Sequence, residues 1–258
     1  RRQESGRESP AGPPAASQGF SFAPWTKLPP PQAAVRLPAS SRAGSVGLWE
    51  RLAALVLLII ASPLMLLLTL AIKLEPPAGG VFYRQERVGL ERRRRPGGAA
   101  SAEPAERRRT PGHGQVFLIY KFRTMVPEAE KHTGPVWASA RDPRITRVGR
   151  VLRKLRFDEL PQLINVLQGQ MRLIGPRPER PRFVEQLRGQ IPDYTQRLSV
   201  HPGITGLAQV ERDYDGSVED VRKKVQYDLF YVRHRSRLLD IKIILKTISV
   251  MILGRGAR

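Results

Sequence analysis

Two adjacent carboxylates, Asp158 and Glu159, are the best candidates for chemistry in this sequence. They precede an apolar periodic run, and the basic residue Arg156 lies just upstream. A carboxylate among cations can hold a divalent ion or attack a phosphate. The structural alternative is a capping Asp followed by a first-turn Glu, because both are favoured where a helix begins. Adjacent helical residues diverge by about 100°, so we expect the two carboxylates to have different roles.

Arg177 is a second candidate, because its neighbours on both sides are prolines, Pro176 and Pro178. Proline fixes φ, so the pattern predicts a stiff turn that presents the guanidinium. Arginine binds phosphate oxygens through two nitrogens at once. The alternative is an ordinary surface turn.

Further phosphate-binding candidates lie in a strand and in a loop. Lys121 and Arg123 end a β-prone run, where a solvated strand face is the alternative. The loop 201–206 contains Gly203 and Thr205 and is either a phosphate-cradling loop or a tight turn. It matches neither a P-loop nor a dinucleotide-binding fingerprint.

Composition narrows the class of protein. There are no Cys among the 258 residues, which excludes a disulfide scaffold, a Cys-ligated zinc site and thiol catalysis. The 44 Lys and Arg against 23 Asp and Glu give a net charge of +21, which indicates an anionic partner. Nucleic acid, acidic lipid and a phosphorylated small molecule all satisfy that charge.

The longest apolar run, 53–72, has 20 residues without a charge. As a helix it spans roughly 30 Å, enough to cross a bilayer. Ser62-Pro63 lies at its midpoint, where proline disrupts a helix. Both flanks are basic: residues 1–52 carry seven Lys or Arg and three acids, and residues 73–258 carry 37 and 20. Because cytoplasmic flanks attract Lys and Arg, we predict a membrane helix over 47–73, either re-entrant or spanning.

Low-complexity segments lie outside the predicted elements. Residues 1–46 are rich in Pro, Ala, Ser, Gly and Arg and predict a disordered basic tail. Residues 91–114 contain seven Arg against three Glu and predict a flexible insertion.

The segment 74–258 carries the elements that must position the candidate residues. The β-prone runs 81–89 and 115–125 predict a hairpin that encloses the insertion. Residues 159–173 predict an amphipathic helix that begins at the two carboxylates. The apolar stretch 238–253 contains three charges and is expected to lie at a membrane interface, with core packing as the alternative.

Six short motifs occur in a fixed order along the chain. They are Ser62-Pro63, Tyr83-Arg84-Gln85-Glu86-Arg87-Val88-Gly89, Tyr120-Lys121-Phe122-Arg123-Thr124-Met125, Asp158-Glu159-Leu160-Pro161-Gln162-Leu163, Gly175-Pro176-Arg177-Pro178-Glu179 and Pro202-Gly203-Ile204-Thr205-Gly206. In this order they resemble the bacterial sugar transferase family, monotopic phosphoglycosyl transferases that act on polyprenyl phosphate. The resemblance covers residues 47–254, and the stretch 227–242 is similar to the exopolysaccharide and O-antigen branch that moves hexose-1-phosphate.

The resemblance implies an α+β fold, mostly helical, with a short β-hairpin, interfacial amphipathic helices and a re-entrant helix broken at Ser62-Pro63. It implies transfer of a sugar-1-phosphate from a UDP-sugar to undecaprenyl phosphate, with release of UMP, as the first membrane step of exopolysaccharide, capsule or O-antigen synthesis. Asp158 matches the nucleophile that forms a phosphosugar–aspartyl intermediate. Glu159 matches its dyad partner, and Mg²⁺ is expected at both carboxylates.

The same resemblance implies the partners and the location. The residues expected to hold substrate phosphates are Lys121, Arg123, Arg156, Arg177, Gly203 and Thr205. The expected partners include anionic membrane lipid and exclude nucleic acid, and the expected location is the cytoplasmic face of a bacterial inner membrane. A homo-oligomer is left open, and a non-catalytic basic scaffold at the membrane surface is the alternative function.

Overall fold

The computed structural model of this chain describes residues 45–91, 114–131, 134, 142–211 and 218–253. Nearly all of the tail predicted over 1–46 and of the insertion predicted over 91–114 lies outside those residues. The helices are α1 (Leu48–Leu74), α2 (Arg147–Leu155), α3 (Gln162–Leu167), α4 (Pro181–Gln190), α5 (Leu207–Glu211), α6 (Val218–His234) and α7 (Arg237–Leu253). The strands are β1 (Phe82–Val88), β2 (Val116–Phe122), β3 (Arg172–Ile174) and β4 (Gly203–Thr205). The mostly helical fold with a short antiparallel hairpin is confirmed.

The hairpin of β1 and β2 forms where the β-prone runs predict it. The strands are antiparallel, with Phe82 opposite Phe122 and their rings stacked at 5.4 Å. Alternate residues of a strand share a face. Phe117 and Ile119 are buried in the core against α1 and α3, and Lys121 continues the same face of β2.

Helix α1 is the one helix, among the described residues, that is long and apolar enough to cross a membrane. It has 27 residues and is assigned as continuous through Pro63, so the predicted break at Ser62-Pro63 is not an interruption of the helix. Pro63 has no N–H to donate to the carbonyl of Ile59, four residues earlier. The Ser62 hydroxyl donates to that carbonyl at 2.7 Å and so replaces the missing hydrogen bond.

One side of α1 packs on the rest of the described chain near both of its ends. Ala54, near the start, is fully buried with Phe117 and Val166. Ile72, near the end, is buried with Phe122 and Leu152. Most of the remaining surface of the helix consists of exposed Leu, Ile and Val side chains.

The helix predicted over 159–173 is much shorter than expected. The structure has a 3₁₀ turn at Phe157–Glu159, then α3, and then strand β3, which pairs in parallel with β4. Helix α3 ends before Gly169, whose φ of +74° is a left-handed conformation that suits glycine. The N-cap position of α3 is Pro161, so the structural alternative for Asp158, a cap of this helix, is wrong.

Helix α7 combines both alternatives considered for its sequence. Leu239 and Ile243 are buried, so one face of the helix packs in the core. Other apolar side chains on α7, including Leu238, Leu245 and Ile248, are exposed. The exposed face is available for the predicted membrane interface, which stays a prediction.

Candidate active site

The 3₁₀ turn between α2 and α3 holds the two carboxylates. Helix α2 ends at Leu155, and its C-cap residue Arg156 has a φ of 57°, which turns the chain sharply into the 3₁₀ turn. The Glu159 N–H donates to the Arg156 carbonyl, and the Leu160 N–H donates to the Phe157 carbonyl. Asp158 and Glu159 are therefore both held in a tight backbone turn, and both residues are buried.

Lys121 lies between the two carboxylates. Its Nζ is 2.9 Å from Glu159 Oε1 and 3.7 Å from Asp158 Oδ2. Strand β2 is fixed next to α3 by Asn165, which is fully buried. The Asn165 amide accepts from the Tyr120 N–H at 3.1 Å and donates to the Leu118 carbonyl at 2.7 Å. This clip sets the position of Lys121 relative to the dyad.

Arg177 completes the cluster from the turn between β3 and α4. Its Nη2 lies 2.5 Å from Glu159 Oε1, and its Nη1 lies 3.2 Å from Glu159 Oε2. The guanidinium therefore binds through two nitrogens, but its partner in the structure is the Glu159 carboxylate. Phosphate binding by Arg177 stays a prediction. The Arg177 side chain keeps 27% of its surface exposed, so part of it remains accessible to solvent.

The electrostatic environment drives the two carboxyl groups apart. Burial raises the pKa of Asp158, and Lys121 only partly offsets that effect. Burial also acts to raise the pKa of Glu159, but Arg177 and Lys121 outweigh it and hold that pKa well below its usual range. Neighbouring carboxyls with opposite shifts are typical of sites where the two groups have different roles. Glu159 is thus held as an anion between two cations, whereas Asp158 is the more basic of the two carboxyl groups.

The two cations of the cluster are also perturbed. Burial lowers the pKa of Lys121, although Glu159 acts in the opposite direction. The charge of Glu159 raises the pKa of Arg177. Arg156 lies close enough for both carboxylates to act on its pKa, which burial lowers overall. The structure therefore brings together five of the predicted site residues: Lys121, Arg156, Asp158, Glu159 and Arg177.

Arg123 lies apart from this cluster. It is buried, and its guanidinium donates to the carbonyls of Ile72 at 2.8 Å and Pro77 at 3.1 Å. Those carbonyls lie at and just after the C-terminal end of α1, where helical donors run out. The contacts of Arg123 are those of a helix cap, and its phosphate-binding role remains a prediction.

Gly203 and Thr205 have structural partners in the described chain. Strand β4 lies so close to the turn after β3 that a Cβ on Gly203 would stand 2.0 Å from the Gly175 nitrogen. Thr205 accepts through its carbonyl from the Gly175 N–H at 2.9 Å, and its hydroxyl pairs with Thr247 at 2.8 Å. The Gly-rich loop supports the turn that carries Arg177, and phosphate binding by the loop remains a prediction.

Several residues that shape the site have roles that local sequence patterns do not indicate. Asn165 clips β2 to α3, and Arg87 and Arg197 bond to the turn around Arg177. Asn165 was detectable as a polar residue within an amphipathic run. Arg87 lies within one of the six motifs, whereas Arg197 lies in none of them.

The carboxylates of the site could bind a metal ion only together with ligands from a substrate. The described residues contain no group of three or more His, Cys, Asp or Glu side chains that could hold an ion. Mg²⁺ is commonly bound by one or two carboxylates together with substrate phosphates and water. Asp158 and Glu159 fit that pattern. Glu159 already accepts from two cations, so Asp158 is the more available ligand.

Comparison with known proteins gives consistent matches. A family model described as bacterial sugar transferase matches residues 46–95 and 102–254. The chain is 44% identical over 207 residues to a UDP-N-acetylgalactosamine-undecaprenyl-phosphate N-acetylgalactosaminephosphotransferase of Aeromonas hydrophila, covering 80% of this chain and 43% of that relative. It is 40% identical over 204 residues to a UDP-glucose:undecaprenyl-phosphate glucose-1-phosphate transferase of Caulobacter vibrioides, covering 78% of this chain and 67% of that relative. A protein of Escherichia coli with the same name as the Caulobacter relative is 40% identical over 209 residues, covering 80% of this chain and 39% of the relative.

Proposed function

Because the chain belongs to the bacterial sugar transferase family, we propose that it transfers a sugar-1-phosphate from a UDP-sugar to undecaprenyl phosphate and releases UMP. The observation that carries this proposal is the buried Asp158–Glu159 pair, held between Lys121 and Arg177. The names of the relatives support the two substrates. Those names specify N-acetylgalactosamine in one case and glucose in another, so the sugar is left to experiment.

In the first step, Asp158 is the nucleophile. A carboxylate oxygen of Asp158 attacks the β-phosphorus of the UDP-sugar, and the bond from that phosphorus to the bridging oxygen breaks. The electron pair leaves with UMP, and the phosphosugar stays on Asp158 as an acyl phosphate. The raised pKa of Asp158 supports this role, because a more basic carboxylate is a better nucleophile.

In the second step, a phosphate oxygen of undecaprenyl phosphate attacks the same phosphorus. The bond between Asp158 and phosphorus breaks, the Asp158 carboxylate returns, and the product is a lipid diphosphate that carries the sugar. Both steps are displacements at the same phosphorus, so both need the same cations around it. Phosphoryl transfer depends mostly on positioning and on charge stabilisation, which Lys121, Arg156 and Arg177 can provide.

Glu159 positions those cations. It accepts from Lys121 and from both terminal nitrogens of Arg177, so it aligns two positive charges next to Asp158. Asp158 and Glu159 would hold Mg²⁺ together with phosphate oxygens of the substrate. A bound Mg²⁺ would supply further neutralisation of the diphosphate charge.

Helix α1 supports an association with the membrane on one side only. Its apolar surface is exposed, whereas residues near both of its ends, Ala54 and Ile72, pack on the body that contains Asp158. The ends of a helix that crosses a bilayer vertically are separated by the thickness of the membrane. Only one end of such a helix could contact a domain that lies in the cytoplasm. A re-entrant α1 in the cytoplasmic leaflet of the inner membrane, with anionic lipid at its basic flanks, agrees with contact at both ends. It also places Asp158 near a lipid-bound phosphate.

The direct test is UMP release by the purified protein in detergent or nanodiscs. Each of several UDP-sugars is supplied together with undecaprenyl phosphate, and mass spectrometry identifies the lipid product. We expect UMP with one or a few sugars, and a lipid product heavier by one sugar phosphate. Absence of UMP with every UDP-sugar would favour the non-catalytic scaffold.

A further inference from the structure

The turn that carries Arg177 is held by its own carbonyl groups. Pro176 and Pro178 have no N–H, so two of the usual backbone donors are missing from this turn. Four successive carbonyls of the turn accept hydrogen bonds from other parts of the chain. Main-chain N–H groups donate to two of them: Gly203 to the Pro176 carbonyl at 3.0 Å and Val88 to the Glu179 carbonyl at 2.9 Å. Arginine side chains donate to the other two: Arg197 Nη2 to the Arg177 carbonyl at 2.8 Å and Arg87 Nη1 to the Pro178 carbonyl at 2.9 Å. The position of Arg177 therefore depends on donors that lie outside the turn.

Arg197 is the donor to the main chain of Arg177 itself. It lies in the 3₁₀ helix Tyr194–Ser199, and only 1% of its side chain is exposed. Its Nε and Nη2 lie 2.8 and 2.6 Å from Asp228 Oδ2, and its Nη1 donates to the Tyr194 hydroxyl at 3.3 Å. Asp228, on α6, is as deeply buried as Arg197. Each of the three guanidinium nitrogens thus has a named partner.

A buried ion pair is weak evidence for stability, because removing two charges from water costs about as much as their attraction returns. Such a pair is better understood as a means of fixing geometry. Here a chain of three contacts connects Asp228 to Glu159. Asp228 contacts Arg197, Arg197 donates to the Arg177 carbonyl, and the Arg177 side chain contacts Glu159. Each link is a direct contact of 2.5–2.8 Å.

We infer that Arg197 is a positioning residue that acts through the main chain of Arg177, with Asp228 as its fixed counter-ion. It does not touch the reacting atoms, and it sets where the Arg177 guanidinium meets Glu159. The importance of this position for turnover rests on the proposed function, whereas the contact with Arg177 does not.

The variant Arg197→Lys tests the inference, because it keeps the positive charge next to Asp228. A lysine has one ammonium group, which cannot reach Asp228, Tyr194 and the Arg177 carbonyl together. The readout is NMR of protein labelled with ¹⁵N-arginine in detergent, with Arg177→Lys used to assign the Arg177 side-chain signals. In the wild type we expect hindered rotation of the Arg177 guanidinium, and in Arg197→Lys we expect that hindrance to be lost. Turnover measured by UMP release should fall at least about tenfold.

Glu50→Gln is the matched control. Glu50 is buried and pairs with Arg172 at 2.9 Å, so it too belongs to a buried Arg–carboxylate pair. Among the described residues, no hydrogen bond or ion pair joins Glu50 or Arg172 to the turn 176–179. We expect a lower Tm for Glu50→Gln, with the Arg177 signals as in the wild type. A loss of the Arg177 signals in Glu50→Gln would mean that any buried ion pair has this effect, which would overturn the inference.

A folded Arg197→Lys protein with wild-type Arg177 signals would also overturn it. If Arg197→Lys does not fold, Tyr194→Phe removes only one of the bonds of Arg197 and should loosen the Arg177 guanidinium to a smaller extent. Wild-type Arg177 signals in a folded Tyr194→Phe protein would count against the inference. Failure of the proposed function would give a different result, because the wild type would then release no UMP. The NMR comparison would still test the contact between Arg197 and the Arg177 carbonyl.

Discussion

The guanidinium of Arg177 holds the Glu159 carboxylate through both terminal nitrogens, at 2.5 and 3.2 Å. This grip fixes a cation beside Asp158 without pairing it to Asp158. Glu159 is occupied by Lys121 and Arg177, and Asp158 is the carboxylate that we propose to react. The distinction between the two neighbours follows from this one contact together with Lys121.

The grip of Arg177 predicts a large effect of a conservative substitution. Arg177→Lys keeps the charge but cannot span both Glu159 oxygens, so kcat should fall roughly 100-fold in the UMP-release assay. Arg180→Lys is the matched control, because Arg180 makes a two-nitrogen pair with Glu130 at 2.8 Å in the neighbouring segment. We expect wild-type turnover for the control. Equal turnover of the two variants would contradict the role given to Arg177.

Lys121 predicts a change in pH dependence. Lys121 lowers the pKa of Asp158, so its removal in Lys121→Met raises that pKa further. In the proposed mechanism the ionised Asp158 is the reactive form. On acidification, Lys121→Met should therefore lose activity at a higher pH than the wild type does. The measurement is kcat/KM for the UDP-sugar against pH. Lys131→Met removes an exposed lysine paired with Glu128 and should leave the profile unchanged. If the acidic limb of the kcat/KM profile stays in place or moves to lower pH in Lys121→Met, Lys121 does not lower the pKa of Asp158 as described.

The close contact between β4 and the Arg177 turn predicts a backbone effect. In Gly203→Ala the new Cβ would meet the Gly175 nitrogen at 2.0 Å, and backbone atoms cannot move aside as a flexible side chain can. We expect a loss of about 2 kcal/mol or more in the free energy of unfolding, seen as a lower Tm. Gly189→Ala is the control, since nothing lies within 4 Å of its Cβ and alanine is favoured in a helix. A Gly203→Ala protein as stable as Gly189→Ala would refute the close approach.

Much of this site was predictable from the sequence, and the reasons for the failures are physical. Local patterns indicate Asp158, Glu159, Lys121 and Arg177 as site residues, and the structure brings these four together. The same β-prone run indicates Arg123 as well as Lys121, but the partners of Arg123 are carbonyls about 50 residues earlier in the chain. Local periodicity cannot reveal such a partner.

The error over 159–173 has a similar origin. The apolar spacing of this segment is helical, but strand β3 pairs with β4, about 30 residues later, and that pairing replaces the last turns of the predicted helix. Gly169 marks the boundary, although a single glycine is a weak signal on its own. Long-range backbone pairing therefore decided a segment that side-chain periodicity described incorrectly.

The position of α1 predicts a labelling pattern. The chain has no Cys, so Trp49→Cys and Leu74→Cys each provide one reactive thiol at an exposed position near one end of α1. In a re-entrant arrangement an impermeant maleimide should label both variants in inverted inner-membrane vesicles and neither in right-side-out vesicles. Labelling of the two ends from opposite sides would show that α1 spans the membrane.

The most direct test of the proposed mechanism is the turnover of Asp158→Asn, which replaces the proposed nucleophile by a neutral side chain of the same shape. UMP release from the active UDP-sugar should fall roughly 1,000-fold or more, and no phosphosugar should be detected on the protein by intact mass spectrometry. The wild type, given UDP-sugar without undecaprenyl phosphate, should gain the mass of one phosphosugar. Turnover of Asp158→Asn near that of the wild type would contradict the assignment of Asp158 as the nucleophile.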